Sequence, residues 1–401
     1  MAIDLSYDDE VIDLVARTRD FIETAVLPVE ERHHGDVAAA GGDDLRRELN
    51  AKAREAGVFA PHAPVEYGGL GLSMSDRAPV FEAAGASIFG PMALHIGAPD
   101  EGNVHMLAAI ATPHQRSRFL EPLATGEVRS AFAMTEPAPG AGADPNGLST
   151  TAVRVDGGWR INGFKRFITG AEGAAFFIIM ARTAGVPGDR GGATMFLAPA
   201  ETDGIAVERH VHTTDKSMIG GHCEVRFTDV FVPDEDVLGE PDQGYRYAQV
   251  RLGPARMTHV MRWMGSAVRA HRVAVDYVSR REGFGGMLSD LGMIQQMIAD
   301  NEIDLAAARA LLVRACYELD RGEHASDATS IAKTFGAEAF SRVIDRSIQM
   351  CGGLGVSEED LPLARLANEV RPFRIYDGPS EVHRWAVAKR AVSRARRARE
   401  S

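Results

Sequence analysis

The hydrophobic pattern of the 401-residue chain changes period twice, so one chain must build two kinds of layer. Up to about residue 128 the apolar residues recur at helical spacing. Ser6, Asp8 and Asp9 supply cap-type side chains, and Val11, Leu14, Val15, Ile22 and Val26 follow on one face. Pro28, which has no amide proton, is expected to stop that helix. A Gly-rich break at Glu66-Tyr67-Gly68-Gly69-Leu70-Gly71 precedes further helix expected around 76–95 and 101–124. Near 129 the pattern turns to β. Ala152-Val153-Arg154-Val155, the turn at Asp156-Gly157-Gly158, and Trp159-Arg160-Ile161-Asn162 predict a hairpin. The run from Phe176 to Met180 predicts a buried strand, and Met195-Phe196-Leu197, Val225-Arg226-Phe227 and Val230-Phe231-Val232-Pro233 continue in that style. After Gly244 the helical period returns: Ile294, Ile298, Leu305, Leu312, Cys316 and Leu319 mark one face of a long helix, and Ile331 to Ile348 another. The expected organisation is an α-helical domain over 1–128, a β domain over 129–245 and a helical domain over 246–401.

Composition narrows the function classes. Lys and Arg number 44 against 56 Asp and Glu, a net charge of −12 that disfavours nucleic acid as a partner. The three cysteines, Cys223, Cys316 and Cys351, make no CxxC pair and no disulfide framework, which points to a reducing, cytoplasmic setting. The start, MAIDLSYDDE, lacks the basic-then-apolar signal pattern, and the most apolar run, GAAFFIIMA at 173–181, is far short of the ~20 residues that span a bilayer. No membrane association is expected. No phosphate loop, HExxH or GxSxG occurs, and Gly140, Gly142 and Gly147 do not form GxGxxG, so a Rossmann domain is not expected. His33-His34 and the group His210, His212, His222 fit no common ligand spacing, so no metal is expected.

Four segments stand out. They are Ala133-Met134-Thr135-Glu136-Pro137 with a Gly/Ala loop to Asp144; Lys165-Arg166-Phe167-Ile168-Thr169-Gly170; Arg281-Glu282-Gly283-Phe284-Gly285 with Gln349-Met350-Cys351-Gly352-Gly353; and Tyr376-Asp377-Gly378-Pro379-Ser380-Glu381-Val382-His383-Arg384. Singly each has a plain reading. Thr135-Glu136-Pro137 reads as a strand-to-turn stop, Phe167 as a core aromatic, Gly352-Gly353 as a helix C-cap and Asp377-Gly378-Pro379 as a turn. Together and in this order they resemble the acyl-CoA dehydrogenase family over nearly the whole chain. The DGPSEVHR ending, GPAR at 253–256 and APDEGN at 98–103 resemble one subgroup, whose members carry Asp at the catalytic-base position. Some members are fused to a kinase-like domain, for which this chain is too short.

The resemblance implies a mainly α fold with a central β domain: an N-terminal helical domain, a middle β-barrel and a C-terminal four-helix bundle. It implies FAD as cofactor and α,β-dehydrogenation of an acyl-CoA thioester to the trans-2-enoyl-CoA. Electrons would pass to an electron-transfer flavoprotein, and the setting would be lipid metabolism such as fatty-acid β-oxidation. Asp377 would take the α-proton, one methylene shorter than the family's usual Glu. Tyr376 and Gly378 would lie close to substrate, and the amide of residue 377 would donate to the thioester carbonyl. Met134, Thr135, Phe167, Ile168 and Thr169 would line the flavin ring, with Phe167 where the family commonly has Trp. Arg281 would hold a pyrophosphate, and Phe284, Gln349, Gly352 and Gly353 the adenosine end. These last residues would come from a neighbouring subunit, which implies a homodimer or homotetramer. Pro379, Ser380 and Glu381 would close over the flavin. Arg256 would lie near the CoA and the catalytic loop, its plain alternative being a helix-face salt bridge. Ala143 stands where many members place a CoA-contacting Ser, so the contact there would be through the backbone or absent, and Gly292 stands where the common form has Gln near the adenine. A flavin oxidase resembling nitroalkane oxidases and a DNA-binding homologue, for which the arginine-rich tail from Arg390 is the one hint, are the competing classes.

Overall fold

The computed structural model describes residues 6–323 and 325–400. The first helix, Asp9–Phe21, buries Val11, Leu14, Val15 and Phe21 as its spacing requires. Pro28 does not end it. A single π turn, Ile22–Val26, carries the chain into a further helical stretch, Leu27–Arg32, with Pro28 in its first turn. The wider turn removes the clash that a proline ring makes with the carbonyl four residues back. The helix expected over 76–95 is Met74–Ala84 followed by turns and the short Gly90–Ala93. That expected over 101–124 is broken after Asp100–Ile110. There Thr112 accepts from the Gln115 amide and Gln115 reaches back, a capping box that restarts the chain as a new helix.

The middle strands are β1 (Ser130–Ala133), β2 (Thr151–Val155), β3 (Gly158–Thr169), β4 (Phe176–Arg182), β5 (Ala193–Pro199), β6 (Ile205–His210), β7 (His222–Pro233) and β8 (Val237–Leu238). The predicted hairpin forms, with Val155 opposite Gly158 across Asp156-Gly157. The sheet order is β6-β7-β3-β2-β4-β5-β8, and β1 runs parallel to β4. The sheet curls on itself, since Phe177 of β4 meets Phe227 of β7 edge-on at 6.1 Å and Trp159 of β3 meets Phe196 of β5 at 5.7 Å. β4 is covered on both faces: Phe177, Ile179 and Ala181 enter the sheet's own core, and Phe176, Ile178 and Met180 enter the helical core. Burial on both sides is why this strand reads as an unbroken apolar run.

The long helices after the sheet are Gly244–Arg280, Gly292–Asp320, Ser326–Cys351 and Ser380–Glu400. The 37-residue Gly244–Arg280 helix packs on helices of both its own half and the N-terminal third. Its closest approach to Met74–Ala84 is through paired glycines: a Cβ on Gly265 would sit 2.1 Å from the Glu82 carbonyl oxygen, and one on Gly85 2.0 Å from that of Arg262. Two ties pull the thirds together. Glu30 is fully buried and accepts from Arg269, Ser87 and the Ile88 amide, while Asp320 caps the Met74–Ala84 helix by accepting from the Met74 and Ser75 amides. The long helix meets the turn at 375–378 directly, Arg256 donating to the Asp377 carbonyl and Trp263 to the Tyr376 hydroxyl. No helix among the described residues is long and apolar enough to cross a membrane.

Candidate active site

Asp377 sits between the 3-10 turn Arg371–Arg374 and the helix that starts at Ser380. Its φ is +54°, a left-handed conformation that an Asp tolerates at a cost. Three donors hold the turn there. Arg256 Nε donates to the Asp377 carbonyl at 2.9 Å, His383 Nε2 to the same oxygen at 3.1 Å, and Lys333 Nζ to the Gly378 carbonyl at 2.7 Å. Arg256 is thus fastened to the Asp377 turn and makes no helix-face salt bridge among the described residues. With the carbonyls engaged, the N–H groups of Asp377 and Gly378 have no acceptor among the described residues. An unpaired backbone donor beside a carboxylate is what a polarised carbonyl needs.

The Asp377 carboxylate is set in a cationic shell. Burial would raise its pKa, but His259 at 3.3 Å and the guanidinium groups of Arg251 and Arg256 together hold it well below the usual carboxylate range. Burial lowers Lys333 to about 8, and burial with the Arg256 charge lowers His383 to about 4. Behind the carboxylate stand the rings of His259, Tyr376 and Phe373, with His259 and Tyr376 centroids 4.7 Å apart. The Tyr376 hydroxyl accepts from Trp263 Nε1 at 2.5 Å, which ties the turn to the long helix.

A second group gathers at the end of β1 and on β3. Lys165 and Glu136 form a buried ion pair at 2.9 Å, both side chains almost fully excluded from solvent. Glu136 also accepts from the amides of Ala141, Ser149 and Thr150 and from the Ser149 hydroxyl, while Lys165 donates to the Met134 carbonyl. The loop from 137 to 148 is therefore folded around one carboxylate. Its pKa falls to about 2, because Lys165 and these donors outweigh burial. Thr135 donates its hydroxyl to the Arg166 carbonyl at 2.6 Å and so leaves only its oxygen lone pairs for a ligand. Register shifts in β3 between Lys165 and Ile168 make a bulge, and at it Phe167 takes φ +57° and remains 51% exposed. Phe167 is not a core aromatic; the bulge turns it outward. Ile168 does the reverse. Its side chain is buried in the sheet core, so only its backbone is available to a cofactor. The Thr169 hydroxyl pairs with His222 Nδ1 at 2.9 Å, and His222 Nε2 pairs with Asp215 at 2.7 Å.

The third group is exposed. Arg281 ends the long helix, and its guanidinium has no partner among the described residues. Phe284, at the tip of the small hairpin Glu282–Met287, has φ +53° and is 93% exposed. Gln349, Gly352 and Gly353 lie exposed at the end of Ser326–Cys351, and Gly352 has φ +59°. Ala143 is exposed in the Glu136 loop, and Glu381 is exposed one residue beyond the buried Ser380. Of the tail arginines, Arg390 and Arg394 both pair with Asp327, as a helix end docked on its own bundle would. Among the described residues no His/Cys/Asp/Glu group could hold a metal ion.

Sequence reading passed over Arg251, His259, Arg262, Lys333 and the Glu136–Lys165 pair. One signal was available. Arg256, His259 and Arg262 recur every third residue on a helix otherwise rich in apolar side chains, a spacing that puts all three on one face.

These features fit a flavin and an acyl thioester: an outward aromatic beside a strand end, free amides next to a buried carboxylate, and an unpaired exposed guanidinium. Known proteins place the chain accordingly. Models of the acyl-CoA dehydrogenase N-terminal, middle and C-terminal domains match residues 8–127, 131–230 and 242–392. The chain belongs to the acyl-CoA dehydrogenase family, oxidoreductases that bind FAD and dehydrogenate acyl-CoA. It is 35% identical over 402 residues to FadE2 of Mycobacterium tuberculosis, covering 98% of each chain. It is 34% identical to acyl-CoA dehydrogenase family member 10 of Mus musculus, covering 95% of this chain and 37% of that longer protein. The solved butyryl-CoA dehydrogenase of Megasphaera elsdenii superposes with a TM-score of 0.87 at 27% identity, covering 97% of this chain and all of that one.

Proposed function

We propose that Asp377 is the base of an acyl-CoA dehydrogenase that converts a saturated acyl-CoA to its trans-2-enoyl-CoA. The observation that carries the reading is the Asp377-Gly378 turn: a carboxylate and two unpaired amides held together by Arg256, His383 and Lys333. The amides would donate to the thioester carbonyl, which acidifies the α-carbon, and the carboxylate would take the α-proton. FAD when bound would accept the β-hydrogen as hydride at N5. Phe167 would cover one edge of the flavin ring, with Met134, Thr135 and Thr169 around it and Pro379 to Glu381 closing over. Arg281, Phe284, Gln349, Gly352 and Gly353 would serve the adenosine and pyrophosphate of a neighbouring protomer's flavin. Their exposure in one chain supports that reading, and with it a homodimer or a dimer of dimers. An electron-transfer flavoprotein is the proposed acceptor.

The test is anaerobic bleaching of the bound flavin with a panel of acyl-CoAs of differing length and branching. Asp377→Asn should keep yellow FAD and lose more than about a hundredfold in bleaching rate, the scale of a lost general base. Near-normal rates in that variant would remove Asp377 from the role. Rapid reoxidation of the reduced flavin by air would move the protein to the oxidase class.

A further inference from the structure

We propose that His259 is a positioning residue for Asp377: locked into one tautomer by Arg262, it holds carboxylate oxygen Oδ2 inside the protein and leaves Oδ1 to receive the proton. This rests on the reading of Asp377 as the base. Arg262 Nη2 lies 2.7 Å from His259 Nδ1. A guanidinium only donates, so Nδ1 must accept, and the proton of the neutral ring must sit on Nε2. That N–H lies 3.3 Å from Asp377 Oδ2. Burial and the Arg262 charge hold His259 below the usual imidazole range, which keeps the ring neutral and this tautomer in place.

The two carboxylate oxygens are not equivalent. Oδ2 is sealed from solvent and has no well-aligned hydrogen bond, and His259 Nε2 faces it at 3.3 Å. Oδ1 has neither been sealed nor given a partner among the described residues. A donor on Oδ2 opposes rotation of the carboxylate about its last bond and stabilises the ionised form. The ring that does this is itself seated against Tyr376 and Phe373, while Arg262 is anchored to the Ile96 carbonyl. The other charged groups acting on Asp377 and His259 are Arg251 and Arg256 from the same helix, Lys333 and His383 from the other bundle helices, and Glu101 from the N-terminal third. None of these places an N–H on Oδ2.

The experiment compares His259→Gln and His259→Phe holoenzymes. Flavin reduction is followed anaerobically across pH with a saturated acyl-CoA that bleaches the wild-type flavin. Gln can accept from Arg262 through its carbonyl and donate to Asp377 through its amide, so it should keep the acid limb of the wild-type profile. Phe removes the donor and should raise the apparent pKa of that limb by about one unit or more, with a limiting rate about tenfold lower. A Phe variant with the wild-type limb and rate overturns the proposal. A second measurement needs no turnover: 15N-histidine spectra of the wild-type protein, the His259 signal being the one lost in His259→Gln. The proton should reside on Nε2 at neutral pH; a proton on Nδ1, or on both nitrogens, overturns the proposal. The failures are distinguishable, because wild-type turnover in Asp377→Asn ends the base assignment, while an unshifted limb in His259→Phe ends only this one.

Discussion

Replacing Glu136 by Ala tests what organises the loop that follows β1. Glu136 and Lys165 are about equally buried, at 1% and 0% side-chain exposure, and lie 2.9 Å apart. Removing one partner of such a pair leaves the other charge uncompensated, which costs about 3–5 kcal/mol. The Glu136 carboxylate also serves three loop amides and a hydroxyl. Those of Ser149 lie near solvent and can rehydrate, so they add little; the Thr150 amide is buried and keeps the estimate toward the upper end. Lys165→Met should cost less, because the carboxylate it abandons keeps its other donors. The double variant Glu136→Ala/Lys165→Met should recover a large part of the Glu136→Ala loss, since no buried charge remains. The assay is urea unfolding followed by tryptophan emission, with Trp159 reporting from β3, alongside FAD content after dialysis. A Glu136→Ala loss under about 1 kcal/mol, or a double variant whose loss is the sum of the singles, would refute the view that this ion pair organises the loop.

Three further outcomes are expected. Burial raises the Glu369 pKa to about 7 although Ser217 and the Lys216 amide donate to it, so the folded state binds the proton more tightly than the unfolded chain, where the group titrates near 4.5. Stability from this group is present below about pH 4.5 and is lost as pH rises through about 7; Glu369→Gln should flatten that slope in urea midpoints measured from pH 5 to 8, and an unchanged slope would refute the assignment. Gly265→Ala should lower the thermal midpoint, because its Cβ would meet the Glu82 carbonyl oxygen at 2.1 Å and force apart two packed backbones, an overpacking cost of about 1–3 kcal/mol or more; a midpoint within a degree of wild type would show that the helices move apart freely. Arg281→Ala should release FAD on dialysis and weaken self-association seen by light scattering, whereas unchanged flavin content would count against the pyrophosphate role.

The sequence by itself determined the order of layers and the family. Hydrophobic period depends on local geometry, three to four residues per turn against two per pleat, so the helix–sheet–helix order is written along the chain. The Asp156-Gly157 hairpin and the doubly buried run at Phe176 were legible for the same reason. Where helices stop was less legible. Pro28 was expected to end a helix that a π turn carries onward, and the stretches after residues 84 and 110 break where capping and packing decide. The roles of individual side chains were decided by tertiary structure alone. Phe167 turns outward and Ile168 inward because a bulge in β3 shifts its register against β7, a matter of strand pairing that neither residue encodes. The setting of Asp377 is likewise non-local. Arg256 and His259 come from 121 and 118 positions earlier in the chain, on one helix, and Lys333 from another, and only their convergence gives an Asp-Gly turn an ionised carboxylate with two free amides. Electrostatic fields act through space, and a linear sequence does not state which charges share it.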